Sequence, residues 1–159
     1  MRLKIQIMIL TTILGLTLTQ KNIMAAGGGV TSSRPSSSIS SDFAKGQKAV
    51  KASDFQSAVR YLTKAVKKNP NNADAQNLLG YSYRKLGKID EAFEHYNLAL
   101  KLNPKHRGAN EYLGELYLET GQLAKAEERL EVLDKACIRG CEEYDELKEA
   151  IDNYKAERK

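Results

Sequence analysis

Apolar residues recur every three to four positions through most of this chain. Leu78, Leu79, Tyr83 and Leu86 fall on one helical face together with Ala75. Beyond Gly87, Ile89, Ala92, Phe93, Tyr96, Ala99 and Leu100 do the same. That spacing predicts amphipathic helices. The pattern then returns at one fixed interval. The step from Gly46 to Gly80 is repeated from Gly80 to Gly114. Ala58, Ala92 and Ala126 keep the same step, as do the pairs Pro70/Pro104, Leu79/Leu113, Tyr83/Tyr117 and Gly87/Gly121. A period of this length marks stacked units, each burying its apolar face on its neighbours. The units run over about 39–72, 73–106 and 107–140, and each splits into two helices. Gly87 and Gly121 can supply the positive φ that closes a first helix. The first unit has Ser53 there, followed by Asp54, a weaker turn with a capping side chain. Asn69-Pro70 and Asn103-Pro104 stop the second helices, because proline disfavours helical geometry in the residue before it.

The repeated small residues carry a packing expectation. A glycine inside a helix costs about 1 kcal/mol relative to alanine. Gly46, Gly80 and Gly114 bear that cost on the first helices, which close approach of the two helices within a unit would offset. Ala58, Ala92 and Ala126 would sit opposite on the second helices. After the third unit, residues 142–157 carry a narrow apolar stripe of Tyr144, Leu147, Ile151 and Tyr154 among charged positions. One dry face suits a helix that covers the open end of a stack. This helix has Lys148 where the repeats place glycine, so no further helix is expected to pack there.

The start of the chain reads differently. Arg2 and Lys4 precede an uncharged run, Ile5 to Gln20, and the small residues Ala25-Ala26-Gly27 follow. Charged start, apolar centre and small exit predict a secretory signal peptide over 1–26. The run is shorter than the roughly 20 residues that span a bilayer, so no membrane span is expected in the mature chain. Residues 27–41 are rich in glycine and serine and predict a flexible linker, leaving a domain over 42–157. Export changes the charge balance. The formal net charge is +5, but Arg2, Lys4 and Lys21 lie at or before residue 26 and no acid precedes Asp42, so the mature chain carries 22 basic against 20 acidic residues. Lys64, Lys67, Lys68, Lys101, Lys105 and Arg107 crowd helix ends, where cations complement the dipole. No concentrated basic stripe of the kind nucleic acid requires is present.

Leu79-Gly80, Leu113-Gly114, Tyr83, Tyr117, Ala58, Ala92, Ala126, Pro70 and Pro104 together resemble the tetratricopeptide repeat, over about 39–140. The leading tryptophan of that motif is absent, with Asp42, Gln76 and Asn110 at its places. The first unit has Lys45 for the leucine and Ala49 for the tyrosine, and the third lacks its proline. The resemblance implies an all-α fold: a right-handed α-solenoid of about three helix-turn-helix units plus a C-terminal capping helix, of the type found in small exported bacterial proteins. It further implies an adaptor in the periplasm or beyond, without catalysis, that holds a protein or peptide in a concave groove lined by the first helices. The groove candidates are Phe43, Gln47, Asn77, Tyr81, Arg84, Lys85, Glu111, Tyr112, Glu115 and Leu118. Arg84 and Lys85 followed by Glu111, Glu115 and Glu119 would give a partner its register through charge order. Some family members grip a C-terminal carboxylate with lysine, asparagine and arginine. Here Phe43, Gln47, Leu78, Gly108 and Tyr112 hold those places, which speaks against chaperone-tail capture.

Chemistry has few footholds. Gly27-Gly28-Gly29 lacks the lysine, strand and helix of a phosphate loop. The two histidines, His95 and His106, are far in sequence from the cysteines, and His95 is expected on the exposed side of a second helix between Glu91 and Glu94. No cofactor and no metal site are expected. Cys137 and Cys141 stand four apart around Ile138-Arg139-Gly140. In an oxidising compartment such a pair becomes a disulfide, here clipping the third unit to the cap. A reactive thiol pair with a redox role, or free or metal-bound thiols, are the alternatives. A self-assembling structural protein is the remaining function class, with weak self-association as its sign.

Overall fold

A computed structural model describes residues 36–158, with side chains from residue 41. The expected signal peptide over 1–26 and most of the linker over 27–41 lie outside the described residues. Seven helices follow one another, and among the described residues no strand occurs: α1 (Ser36–Lys51), α2 (Phe55–Lys68), α3 (Ala73–Lys85), α4 (Ile89–Leu102), α5 (Arg107–Glu119), α6 (Leu123–Ala136) and α7 (Glu142–Ala156). They form three hairpins and a closing helix, the helical repeat architecture expected from the period. Helix α1 takes in residues 36–41, which composition alone assigns to the linker. Serine after proline begins a helix as readily as it forms a tether.

The three hairpin turns are copies of one another at the level of the backbone. Ser53, Gly87 and Gly121 have φ of +56°, +73° and +76°. In each turn the N–H that follows reaches back across the helix end: Asp54 to the Ala49 carbonyl (2.9 Å), Lys88 to Tyr83 (2.9 Å) and Gln122 to Tyr117 (2.7 Å). These are Schellman closures, which satisfy carbonyls the helix end would leave unpaired. Asp54 adds a side-chain cap, accepting from the Ser57 N–H at 3.0 Å. The second helices end alike at Asn69, Asn103 and Cys137, each donating its N–H to the carbonyl four residues back. The third copy has Ile138 where the others have proline, and that side chain is 94% exposed.

The core runs along the stack in three clusters. Ala49, Ala58, Leu62 and Leu79 join α1 to α3; Ala92, Tyr96, Leu113 and Leu116 join α4 to α5; Leu118, Ala126, Leu133, Leu147 and Ile151 close the end under α7. The helical glycines sit where helices approach. A Cβ on Gly46 would stand 2.6 Å from Leu62, and one on Gly80 would stand 2.7 Å from the Tyr96 ring, both across the same hairpin as expected. Gly114 differs. A Cβ there would meet Leu147 of α7 at 2.6 Å, although Leu130 of its own hairpin holds the register of Leu62 and Tyr96. The closing helix lies directly over α5. Its first turn carries Glu142, Glu143 and Asp145, which favour the dipole. Arg107–Glu143 (3.5 Å) and Lys155–Glu127 (2.6 Å) tie it to α5 and α6. Lys148 points outward to Asp152 at 2.7 Å.

Candidate functional site

The first helices α1, α3 and α5 bring most of the sequence-predicted groove residues into one stepped row. Asn77 and Glu111 hold the same register in successive hairpins, and so do Gln47, Tyr81 and Glu115, because each step equals one repeat. Gln47 and Lys85 are exposed, and Phe43, Tyr81 and Tyr112 are half-buried. Phe43 packs onto the first core cluster. Tyr81 is the centre of an aromatic step: its ring centroid is 5.0 Å from Tyr112 and 5.9 Å from Phe55, and the Lys85 ammonium stands 5.3 Å from it. Phe55, the first residue of α2, is not among the predicted residues. Its position at a hairpin end rather than on a first helix hides it from a reading of helix faces.

Apart from Lys85, the charged candidates are engaged within the stack. Arg84 is bonded by its Nε (3.0 Å) and Nη2 (2.6 Å) to Glu119, and by Nη1 to Glu115. Its side chain is only 10% exposed. Burial would lower its pKa, but the two carboxylates outweigh this and hold the guanidinium charged. The expected charge order is therefore spent largely on joining α3 to α5. Glu111 is 3% exposed and faces Glu146 and Glu143 of α7. Burial first, then the hydrogen bond and charge of Glu146, with Glu115 and Glu143 adding repulsion, push its carboxyl up to about 9. At neutral pH it is protonated. Burial also raises Tyr112, to about 12. Asn77 is 6% exposed, and its Oδ1 is buried without a donor. Leu118 lies in the core cluster under α7. A cavity of about 430 Å³ opens between Arg84, Glu115, Glu119, Tyr154 and Arg158, so α7 forms one wall of the groove's far end.

Outside the groove, His95 is half-buried rather than exposed. Its Nδ1 is 2.8 Å from Gln76 Oε1, and its ring stacks on Tyr83 at 5.3 Å and 7°. Burial lowers its pKa against the opposing pull of Glu94 and Glu91. His106 caps α5 by accepting the Ala109 N–H at Nδ1 (3.1 Å), which leaves Nε2–H to donate to Asp74 at 3.0 Å. Cys137 and Cys141 come together with their Cα atoms 5.6 Å apart. Among the described residues no group of three or more histidine, cysteine or acidic side chains could hold a metal ion, and no helix is long and apolar enough to cross a membrane.

Two family models, both described as tetratricopeptide repeat, match residues 43–106 and 83–151. No curated protein sequence matches the chain. Solved structures do. The TPR2B domain of yeast Sti1, in its pHsp70 complex, has a TM-score of 0.70 and 19% identity over 76% of this chain and 98% of its own. The Sgt2 TPR domain from Aspergillus fumigatus has a TM-score of 0.69 and 22% identity, covering 78% of this chain and 81% of its own. The Yersinia enterocolitica type III secretion chaperone SycD, in complex with a peptide of the translocator YopD, has a TM-score of 0.65 and 16% identity, covering 76% and 95%. Residues 43–151 of this chain are tetratricopeptide repeats.

Proposed function

We propose that the chain is a non-catalytic adaptor that holds a protein or peptide against its first-helix face, and that it works in the cell envelope after loss of residues 1–26. The observation that carries the reading is the aromatic step Phe55–Tyr81–Tyr112 with the exposed Lys85 over the Tyr81 ring. Aromatic anchors rimmed by polar side chains are what recognition surfaces use for affinity and register. Support comes from the neighbours of like fold, two of which are seen with a partner or partner peptide. The envelope location rests on the leader pattern, and the same export would oxidise Cys137 and Cys141 to a disulfide.

Arg84 is a poor probe of this surface, because its removal would break the tie from α3 to Glu115 and Glu119 of α5. The exposed positions serve better. A photo-crosslinking residue at Gln47 or Lys85 should capture one protein from envelope extract, while the same residue at Glu94, exposed on α4, should not. Equal yields from Glu94 would remove the first-helix face from consideration. Detection of the uncleaved chain in the cytosol alone would defeat the envelope assignment.

A further inference from the structure

The missing tryptophans leave a trace on the other side of the molecule. Gln76 and Asn110 hold its places one repeat apart, and His95 and Arg129 face them in the same register. In the second hairpin the slot is complete: His95 bonds Gln76 and stacks on Tyr83. In the third hairpin Asn110 spends its amide N–H groups on the carbonyls of Pro104 (3.1 Å) and His106 (3.0 Å). Arg129 then reaches Asn110 Oδ1 only at 3.4 Å and Glu128 only at 3.7 Å, and its Nε is buried with no hydrogen-bond partner. An unmade buried donor is costly, and a charged one more so.

A cavity of about 370 Å³ opens beside this guanidinium, between α4 and α6. Leu100, Pro104 and Val132 supply apolar surface; Lys105, Arg129 and Lys135 supply charge, and no acid lines it. Lys135 has a 3.9 Å contact with Glu131, but both side chains are three-quarters exposed, so that pair neutralises little. The volume lies in the range of sites that take a small group or a side-chain anchor.

We propose that this second-helix cavity is a docking site for an acidic–apolar segment of a partner protein. One apolar side chain would sit against Leu100 and Val132, and an adjoining carboxylate would accept from the Arg129 guanidinium. A carboxylate suits the fork of an arginine, which offers two parallel donors, and the terminal nitrogens of Arg129 hold only long contacts within the protein. Lys105 and Lys135 would draw the same segment in by charge.

The test titrates the full chain into a fluorescein-labelled hexapeptide that places leucines beside glutamates, read by fluorescence anisotropy. Saturable binding is expected, weakening as salt rises, and reduced about tenfold or more by Arg129→Gln. The exposed double change Lys105→Glu with Lys135→Glu should weaken it as well; this pair guards against misfolding of the Arg129 variant, which circular dichroism checks. Tyr81→Ala, on the opposite groove, should leave the affinity unchanged. The proposal is overturned by any of four results: no saturable binding, equal binding of a peptide with lysines for glutamates, loss in Tyr81→Ala but not in Arg129→Gln, or full displacement by octanoate at the peptide's own affinity. The last would assign the cavity to small amphiphiles.

Discussion

Gly80→Ala probes the contact on which the stack depends. The new Cβ would lie 2.7 Å from Cδ1, 2.8 Å from Cε1 and 3.0 Å from Cγ of Tyr96. Carbon atoms pack best at about 3.5–4.0 Å. Tyr96 is fully buried, with its ring inside the cluster of Ala92, Leu113 and Leu116, so it has no solvent side to retreat to. Alanine returns about 1 kcal/mol of helix propensity. Overpacking a closed core costs about 1–3 kcal/mol. With half the ring inside the repulsive range the upper part of that span applies, leaving a net loss of about 1–2 kcal/mol. A thermal melt followed by circular dichroism should show a Tm lower by about 5 °C or more. The second arm is Tyr96→Leu, which copies Leu62 at the same register of the first hairpin. Combined with Gly80→Ala it should recover part of the loss, a coupling above about 0.5 kcal/mol. A Tm that rises in Gly80→Ala, or strict additivity in the pair, would refute close approach as the reason for the glycine.

Ser53→Gly should stabilise the chain by about 0.5–1 kcal/mol in urea unfolding, because Ser53 alone of the three turn residues holds a positive φ with a side chain; a loss of stability would mean that its hydroxyl matters more than its backbone. Glu111→Gln should flatten the pH dependence of stability. The folded state keeps a proton that the unfolded chain releases above its ordinary 4.5, and gives it up only near 9, so stability present at low pH is lost as pH rises across that window. Because Glu111 is buried, the stability lost between mildly acid and mildly alkaline solution should be at least about 1 kcal/mol, and identical slopes in urea titrations of the two proteins would contradict it. Reduction of the Cys137–Cys141 pair should lower Tm only slightly, since the loop it closes is very short, and rapid, selective alkylation of one sulfur would favour the redox reading instead.

Local rules carry much of the fold. The turns at Ser53, Gly87 and Gly121 and the stops at Asn69 and Asn103 follow from residue types acting over a few bonds, and those are visible in one dimension. What depends on the placement of α7 is not. Leu130 has the right register to oppose Gly114, yet Leu147 takes that place, because the closing helix packs onto α5. The same placement buries Glu111 and Leu118, which helix periodicity assigns to an open groove. The order of charges from Arg84 to Glu119 is legible, but not that these groups find one another across α3 and α5. The half-buried seat of His95 follows from Gln76, a residue whose only sequence signal is the tryptophan it replaces.

Lys148 has a consequence for how such an array can grow. Duplicating the second hairpin would give the new copy a glycine-bearing partner on each side, and the terminal helix would simply ride outward. The same insert joined beyond α7 would meet an ammonium and its aspartate where a close-packed backbone is needed, and would hang free. Lengthening is thus open at internal positions and barred at this margin, and a single exchange of Lys148 for glycine would begin to lift the bar.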